Sequence, residues 1–326
     1  MAELTMVKAL NLALHQAMEA DDRVIICGQD VGQDEGVFRV TEGLLAKYGD
    51  QRVLDSPLAE SGIIGTSIGM ALYGLKPVAE IQFSGFSYQG FHQIEQHMAR
   101  FRNRTRGRYT VPMVLRMPCG GGIRAVEHHS ESKEAFWAHI PGLKVVIPSG
   151  PRSARALLSA AIQDPDPVIF YEPKALYRAF KEEVPDEPEV MEIGKAEVVR
   201  EGSDITLISY GAQMRPTLEA AEDLADLHGI SAEVIDLLTV SPMDDATLVE
   251  SVTKTGRAAV INEGNRTCGV ASEVIARLNE KAFGYLEAPV KRLTSYDIHF
   301  PYFACEQIYL PDADRIASAA MQVMEY

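Results

Sequence analysis

The sequence predicts an α/β protein of two stacked parallel-sheet domains, and three observations lead there. Its 326 residues exceed the roughly 100–200 residues of an ordinary single domain, so two hydrophobic cores are expected. Short runs rich in valine and isoleucine alternate with helical patterns, the signature of strands joined by crossover helices. The segment 181–195, KEEVPDEPEVMEIGK, breaks that rhythm with Pro185, Pro188 and a cluster of acids, a composition that neither continues a helix nor pairs in a central strand.

Taken in order, the first 19 residues, MAELTMVKALNLALHQAME, place apolar side chains at helical spacing. Strands are expected at VIICG (24–28), PVAEIQF (77–83), PMVLRMP (112–118), LKVVIPS (143–149) and PVIFYEP (167–173). These runs are near-continuously apolar, as parallel strands covered on both faces must be. Beyond the break the pattern resumes at ITLISYG (205–211), AEVIDLL (232–238) and AAVINEG (258–264). The expected division is a first domain over 1–180, a linker over 181–195 and a second, smaller domain over 196–326. No repeat of 20–50 residues occurs, which excludes solenoids and propellers.

The formal net charge of -15 disfavours binding to nucleic acid or an anionic membrane and would steer a basic partner. The N-terminus does not read as a signal peptide and no run approaches the length of a membrane span, so a cytoplasmic protein is expected. Four widely separated cysteines, without a C-x-x-C pair, suggest reduced thiols and no zinc knuckle.

Several motifs compete for the chemistry. GTSIG (65–69) matches the G-x-S-x-G nucleophile elbow around Ser67, but no long β run precedes it, and close helix packing explains the glycines better. CGGGIRAVEHHSES (119–132) lacks both the Walker and the dinucleotide patterns. Its adjacent His128 and His129 point in divergent directions on any regular backbone, so one can act but hardly both on one metal. His92 and His97, five apart on a helical stretch, miss the same-face spacing. Arg100, Arg102, Arg104, Arg106 and Arg108 alternate in a phosphate-like stripe; in so acidic a chain, contact with acidic groups of another subunit is the better reading. Glu60, in SPLAESGIIG (56–65), has apolar neighbours that would raise its pKa if it is buried. A plain helix-start glutamate competes with that reading.

The segments TMVKALN, GQDVG, GVFRVTEGL, DSPLAESGIIG, PVAEIQF, HHSESKEAF, PGLKVVIPS and DPVIFYEPKALYR occur in that order, followed by SAEVIDLLTVSPMD, KTGRAAVINEG and IYLPDADRI. Together they resemble the β subunits of thiamin-diphosphate-dependent 2-oxo acid dehydrogenases, over essentially the whole chain. The resemblance implies a pyrimidine-type thiamin-diphosphate-binding domain followed by a transketolase C-terminal-like domain. It also implies a heterotetramer of two α and two β chains, docked on a dihydrolipoyl acyltransferase core. The family's G-D-G motif for Mg²⁺ and diphosphate belongs to the α chain, and it is absent here: the Gly49-Asp50 pair has no following glycine.

By the same resemblance, His129, heading H-S-x-S, is the active-site histidine that assists acyl transfer to a lipoyl disulfide. Glu60 would hydrogen-bond the pyrimidine nitrogen of the cofactor, and Phe86 would pack against the pyrimidine, with Leu58 and Gln82 lining the same pocket. Leu58 and Phe86 could equally be plain core. The glycine triplet is expected to allow close approach of a lipoyl-lysine arm. QDPDP (163–167) resembles a structural potassium loop, with Met113, Ala161, Ile162, Asp164 and Asp166 at the matching positions; a plain helix-to-strand turn is the alternative. QFSGFSYQGF favours pyruvate as the substrate, whereas PCGGGIRAVEH leans towards the branched-chain type. An acetoin-cleaving relative, a non-catalytic assembly subunit and a Ser67 hydrolase are the other readings.

Overall fold

Every residue of Val24–Gly28 is buried, as befits a strand with neighbours on both sides and helices on both faces. It lies in the first of two units of a computed structural model that describes residues 2–326. The first unit comprises Met1–Cys119 and Phe136–Ile193, and the second comprises Gly120–Ala135 and Gly194–Tyr326.

The first unit contains β1 (Ala2–Leu4), β2 (Val24–Gly28), β3 (Val53–Asp55), β4 (Lys76–Glu80), β5 (Val114–Cys119), β6 (Lys144–Val146), β7 (Val168–Pro173) and β8 (Glu182–Val184). Six of these run parallel in the order β6-β7-β5-β4-β2-β3, while β1 and β8 form a separate antiparallel pair. The apolar runs foretell β2 and β4–β7. They miss β3, which is too short to show a period. The Met6–Ala20 helix packs on the Pro151–Gln163 helix, burying Met6, Leu10, Ala13 and Leu14, spaced as a helical stripe requires.

The second unit contains β9 (Glu197–Arg200), β10 (Ile205–Ser209), β11 (Ala232–Asp236), β12 (Thr239–Ser241), β13 (Ala258–Asn262) and β14 (Lys291–Thr294). Its five-stranded sheet has the order β14-β13-β10-β11-β9. The expectation of a parallel sheet needs one correction: β9 pairs antiparallel with β11. As a largely exposed edge strand, β9 has no need of the crossover helix that a parallel partner requires. The core gathers Ile205, Leu207, Val234 and Ile261 under Leu224 and Ile316 from the covering helices. By its contacts the segment Gly120–Ala135 belongs to this second unit, whereas position along the chain suggests the first.

Three motif readings change. Ser67 sits inside the Glu60–Leu72 helix, fully buried, and its Oγ donates to the Ile63 carbonyl at 2.7 Å; it is no elbow. A Cβ at Gly65 would meet nothing nearer than 3.6 Å and one at Gly69 nothing within 4 Å, so close packing within this chain does not explain those glycines. Residues Gln93–Met98 form a π-helical turn, where i and i+5 share a face. His92 and His97 therefore meet edge-on, with ring centroids 5.1 Å apart. The arginine stripe is partly satisfied within the chain: Arg100 pairs with Glu95, and Arg102 Nε lies 2.5 Å from Asp166 Oδ1.

Candidate cofactor crevice and histidine loop

Where the strand order of a parallel sheet reverses, the loops leaving adjacent strands diverge and open a crevice at their carboxyl ends. In the first unit the chain leaves β2 for β3 on one side and leaves β4 for β5 on the other, so the crevice lies beyond β2 and β4. Asp30 follows β2 and Gln82 follows β4, and Gln82 Nε2 donates to Asp30 Oδ2 at 2.8 Å across it. Leu58 and Glu60 follow β3, the neighbour of β2. Phe86 lies on the Ser84–Gly90 turn, which packs against the Glu60–Leu72 helix. That contact is close: Ser61 Oγ donates to the Gln89 carbonyl, and a Cβ on Gly90 would fall 2.2 Å from Ile64 Cδ1. The structure thus brings the four expected cofactor residues to one edge of one sheet.

Their exposure differs from a buried core. Leu58 is 72% exposed, which excludes the plain-core reading for it. Glu60 is half-buried at the first position of its helix, so the chain by itself does not enclose this carboxyl. Phe86 is half-buried and meets Phe83 edge-to-face, with centroids 5.5 Å apart.

Beside the crevice, three neighbouring strands carry a buried ionic network that the sequence reading did not find. Arg116 on β5 donates through Nη1 to Glu80 on β4 at 2.6 Å. Through Nε and Nη2 it donates to Glu172 on β7 at 2.7 and 2.9 Å. Tyr177 Oη donates to the same Glu172 carboxylate at 2.6 Å. Burial pushes the Glu80 carboxyl up against the pull of Arg116, and burial followed by the Glu172 charge raises the Tyr177 hydroxyl well above its ordinary value. The signal available in the sequence was a charged residue inside each of three apolar runs, since such residues are buried only when paired.

The five expected potassium residues also come together. Met113 O accepts from Val168 N at 3.0 Å and Ala161 O accepts from Asp164 N at 3.3 Å, with Ile162 in the same last helical turn. Asp164 is held by Lys144 Nζ at 2.5 Å, and Asp166 by Arg102. Among the described residues no group of three or more His, Cys, Asp or Glu forms a metal cluster, and no helix is long and apolar enough to cross a membrane.

In the second unit, His128 and His129 share a short 3-10 turn, Glu127–His129. His128 is exposed and His129 is half-buried. The glycines before them play a part the sequence did not reveal. Gly121 N donates to Glu263 Oε1 at 3.2 Å, and Gly122 N donates to Glu306 Oε1. A Cβ on Gly121 would lie 2.4 Å from Phe300 Cζ, so this glycine makes room for an aromatic ring of the chain itself. The loop borders a cleft of about 520 Å³ lined by Ser130, Glu131, Lys133, Glu263, Asp297 and Tyr309, among others. Nearby, Tyr210 Oη donates to Glu134 Oε1 at 2.7 Å, and burial raises both groups.

Comparison with known families and proteins accords with this geometry. Residues 2–179 match the transketolase pyrimidine-binding domain and residues 194–316 match the transketolase C-terminal domain. The chain is 52% identical to the pyruvate dehydrogenase E1 component subunit β of Acholeplasma laidlawii, covering 98% of this chain and 97% of that one. It is 47% identical to the Bacillus subtilis protein of the same name over the full length of both. The chain belongs to the family of pyruvate dehydrogenase E1 component β subunits. Its fold also matches a solved split-gene transketolase, described as an inactive β4 tetramer, with a TM-score of 0.79 over 99% of both chains at 22% identity. Membership of the family accounts for both the two-unit α/β fold and the extended resemblance along the sequence.

Proposed function

We propose that this chain is the β half of a thiamin-diphosphate-dependent enzyme that oxidatively decarboxylates pyruvate and passes the acyl group to a lipoyl disulfide. The observation that carries the reading is the gathering of Leu58, Glu60, Gln82 and Phe86 at the strand-order reversal of the first sheet. The chemistry of that set fits a pyrimidine. Phe86 and the exposed Leu58 offer apolar surface to its ring, Glu60 offers a carboxyl to a ring nitrogen, and the Gln82 amide adds a polar edge. Bound there, thiamin diphosphate supplies the nucleophilic carbon and the electron sink for decarboxylation. Glu60 would hold a proton at the pyrimidine ring nitrogen.

His129 donates a proton to the lipoyl sulfur released when the disulfide opens and the other sulfur takes the acyl group. The absence of a G-D-G motif supports an α partner that holds Mg²⁺ and the diphosphate, in an assembly of two α and two β chains on an acyltransferase core. A structural potassium ion held by the carbonyls of Met113, Ala161 and Ile162 with Asp164 and Asp166 belongs to the same reading. The test is Glu60→Gln in the assembled enzyme: 2-oxo acid-dependent dye reduction should fall at least about a hundredfold, in line with loss of general acid–base catalysis. Full activity of that variant would remove Glu60 from the mechanism.

A further inference from the structure

The loop that carries His129 is closed at its base by the Gly120 N–H donating to the Glu131 carbonyl at 3.1 Å. One side chain then ties both of its ends. Glu263 Oε1 accepts from the Gly121 N–H at the start of the loop, at 3.2 Å, and from the Ser132 hydroxyl at its finish. Glu263 directly follows β13, whose residues are all buried and which is paired on both sides, by β14 and β10, so this carboxylate is mounted on an interior strand of the second unit's sheet. The approach is tight on the loop side too. Gly120 has φ +77°, a left-handed conformation that favours glycine, and a Cβ there would crowd Glu263 Oε1, so a side chain at this position would displace the carboxylate. Glu306 adds a second acceptor, taking the Gly122 and Arg124 N–H groups.

These amides are donors that a glycine-rich loop could turn towards a phosphate. Here carboxylates of the chain itself occupy them. We propose that Glu263 is a positioning residue for His129: by pinning both ends of the 120–132 loop to the end of β13, it fixes the turn on which the histidine sits. The proposal rests on the assignment of His129 to acyl transfer made above. Glu263 is hydrogen-bonded to the loop, and its effect passes through loop geometry, where misplacement by about 1 Å costs about a hundredfold.

The experiment uses the assembled αβ enzyme and two partial reactions, dye-linked decarboxylation and acyl transfer to free lipoamide. Glu263→Ala should lower the ratio of acyl transfer to decarboxylation about tenfold to a hundredfold. Glu263→Gln keeps an oxygen acceptor for both donors and should restore most of that ratio. In a His129→Ala background, Glu263→Ala should add little, because residues acting as a unit are non-additive. Hydrogen exchange should show faster exchange of the 120–132 amides in Glu263→Ala. An unchanged ratio together with unchanged exchange overturns the proposal, as does a full additional loss on top of His129→Ala. If His129→Ala itself leaves lipoamide transfer intact, the role given to His129 fails, while the exchange measurement still decides whether Glu263 holds the loop.

Discussion

Replacing Arg116 by methionine probes the buried network of the first unit. The guanidinium is 0% exposed and makes three hydrogen bonds, at 2.6, 2.7 and 2.9 Å, to Glu80 and Glu172. Methionine fills comparable volume but removes the cation from two buried carboxylates, leaving Glu172 only its bond from Tyr177. Removing one partner of a buried ion pair costs about 3–5 kcal/mol, because the remaining charge loses its compensation. At about 2–4 °C per kcal/mol for a unit of this size, the melting temperature should fall by about 6–20 °C. The pH dependence has a definite sign. Glu80 already has a folded pKa above the ordinary 4.5 because of burial, and loss of Arg116 raises it further. A carboxyl whose folded pKa lies above its unfolded value adds most stability below the unfolded value, and that contribution is lost as pH rises through the folded one. The variant should therefore recover part of its deficit as pH falls from neutrality towards about 5. Scanning calorimetry at two pH values reads both effects. A melting temperature within about 2 °C of the parent, or a deficit equal at both pH values, would refute the reasoning.

Gly121→Val should disturb the histidine loop through Phe300, whose ring must leave its edge-on contact with Tyr309 at 5.0 Å. An overpacking cost of about 1–3 kcal/mol is expected, with lipoamide transfer falling more than dye-linked decarboxylation; the pairing Gly121→Val/Phe300→Ala should relieve it. The potassium reading gives a higher melting temperature in potassium than in sodium chloride at equal ionic strength. Equal melting would mean that Lys144 and Arg102 already satisfy the turn. The Cys27 thiol, pushed up to about 11 by burial and only partly offset by its bond to Ser67, should resist an alkylating reagent at pH 8 in the native protein, as peptide mapping would show.

The apolar runs made the central parallel strands legible, β2 and β4–β7 in the first unit and β10, β11 and β13 in the second, because parallel strands buried on two faces carry a strong compositional signal. Among those that escaped it, the three-residue strands β1, β3, β8 and β12 are too short to show a period, and the edge strand β9 is largely exposed. For the candidate site, Glu60, Gln82, Phe86 and His129 were singled out by the resemblance and not by pattern. Nothing local shows that residues far apart in sequence converge at the carboxyl ends of β2, β3 and β4. The clamp by Glu263 was hidden for the same reason, since its partners lie 131 and 142 residues away. Helical spacing misjudged His92 and His97 because it assumes 3.6 residues per turn, and the π-helical turn there departs from that value.

The central claim is a cofactor site completed by a second chain and turned on pyruvate. The direct measurement is dye reduction with thiamin diphosphate and Mg²⁺, for this chain alone and co-expressed with its α partner, on pyruvate, 3-methyl-2-oxobutanoate and acetoin. The expected result is activity in the pair only, with pyruvate preferred. A folded pair that is inactive on pyruvate, or this chain active by itself, would contradict it.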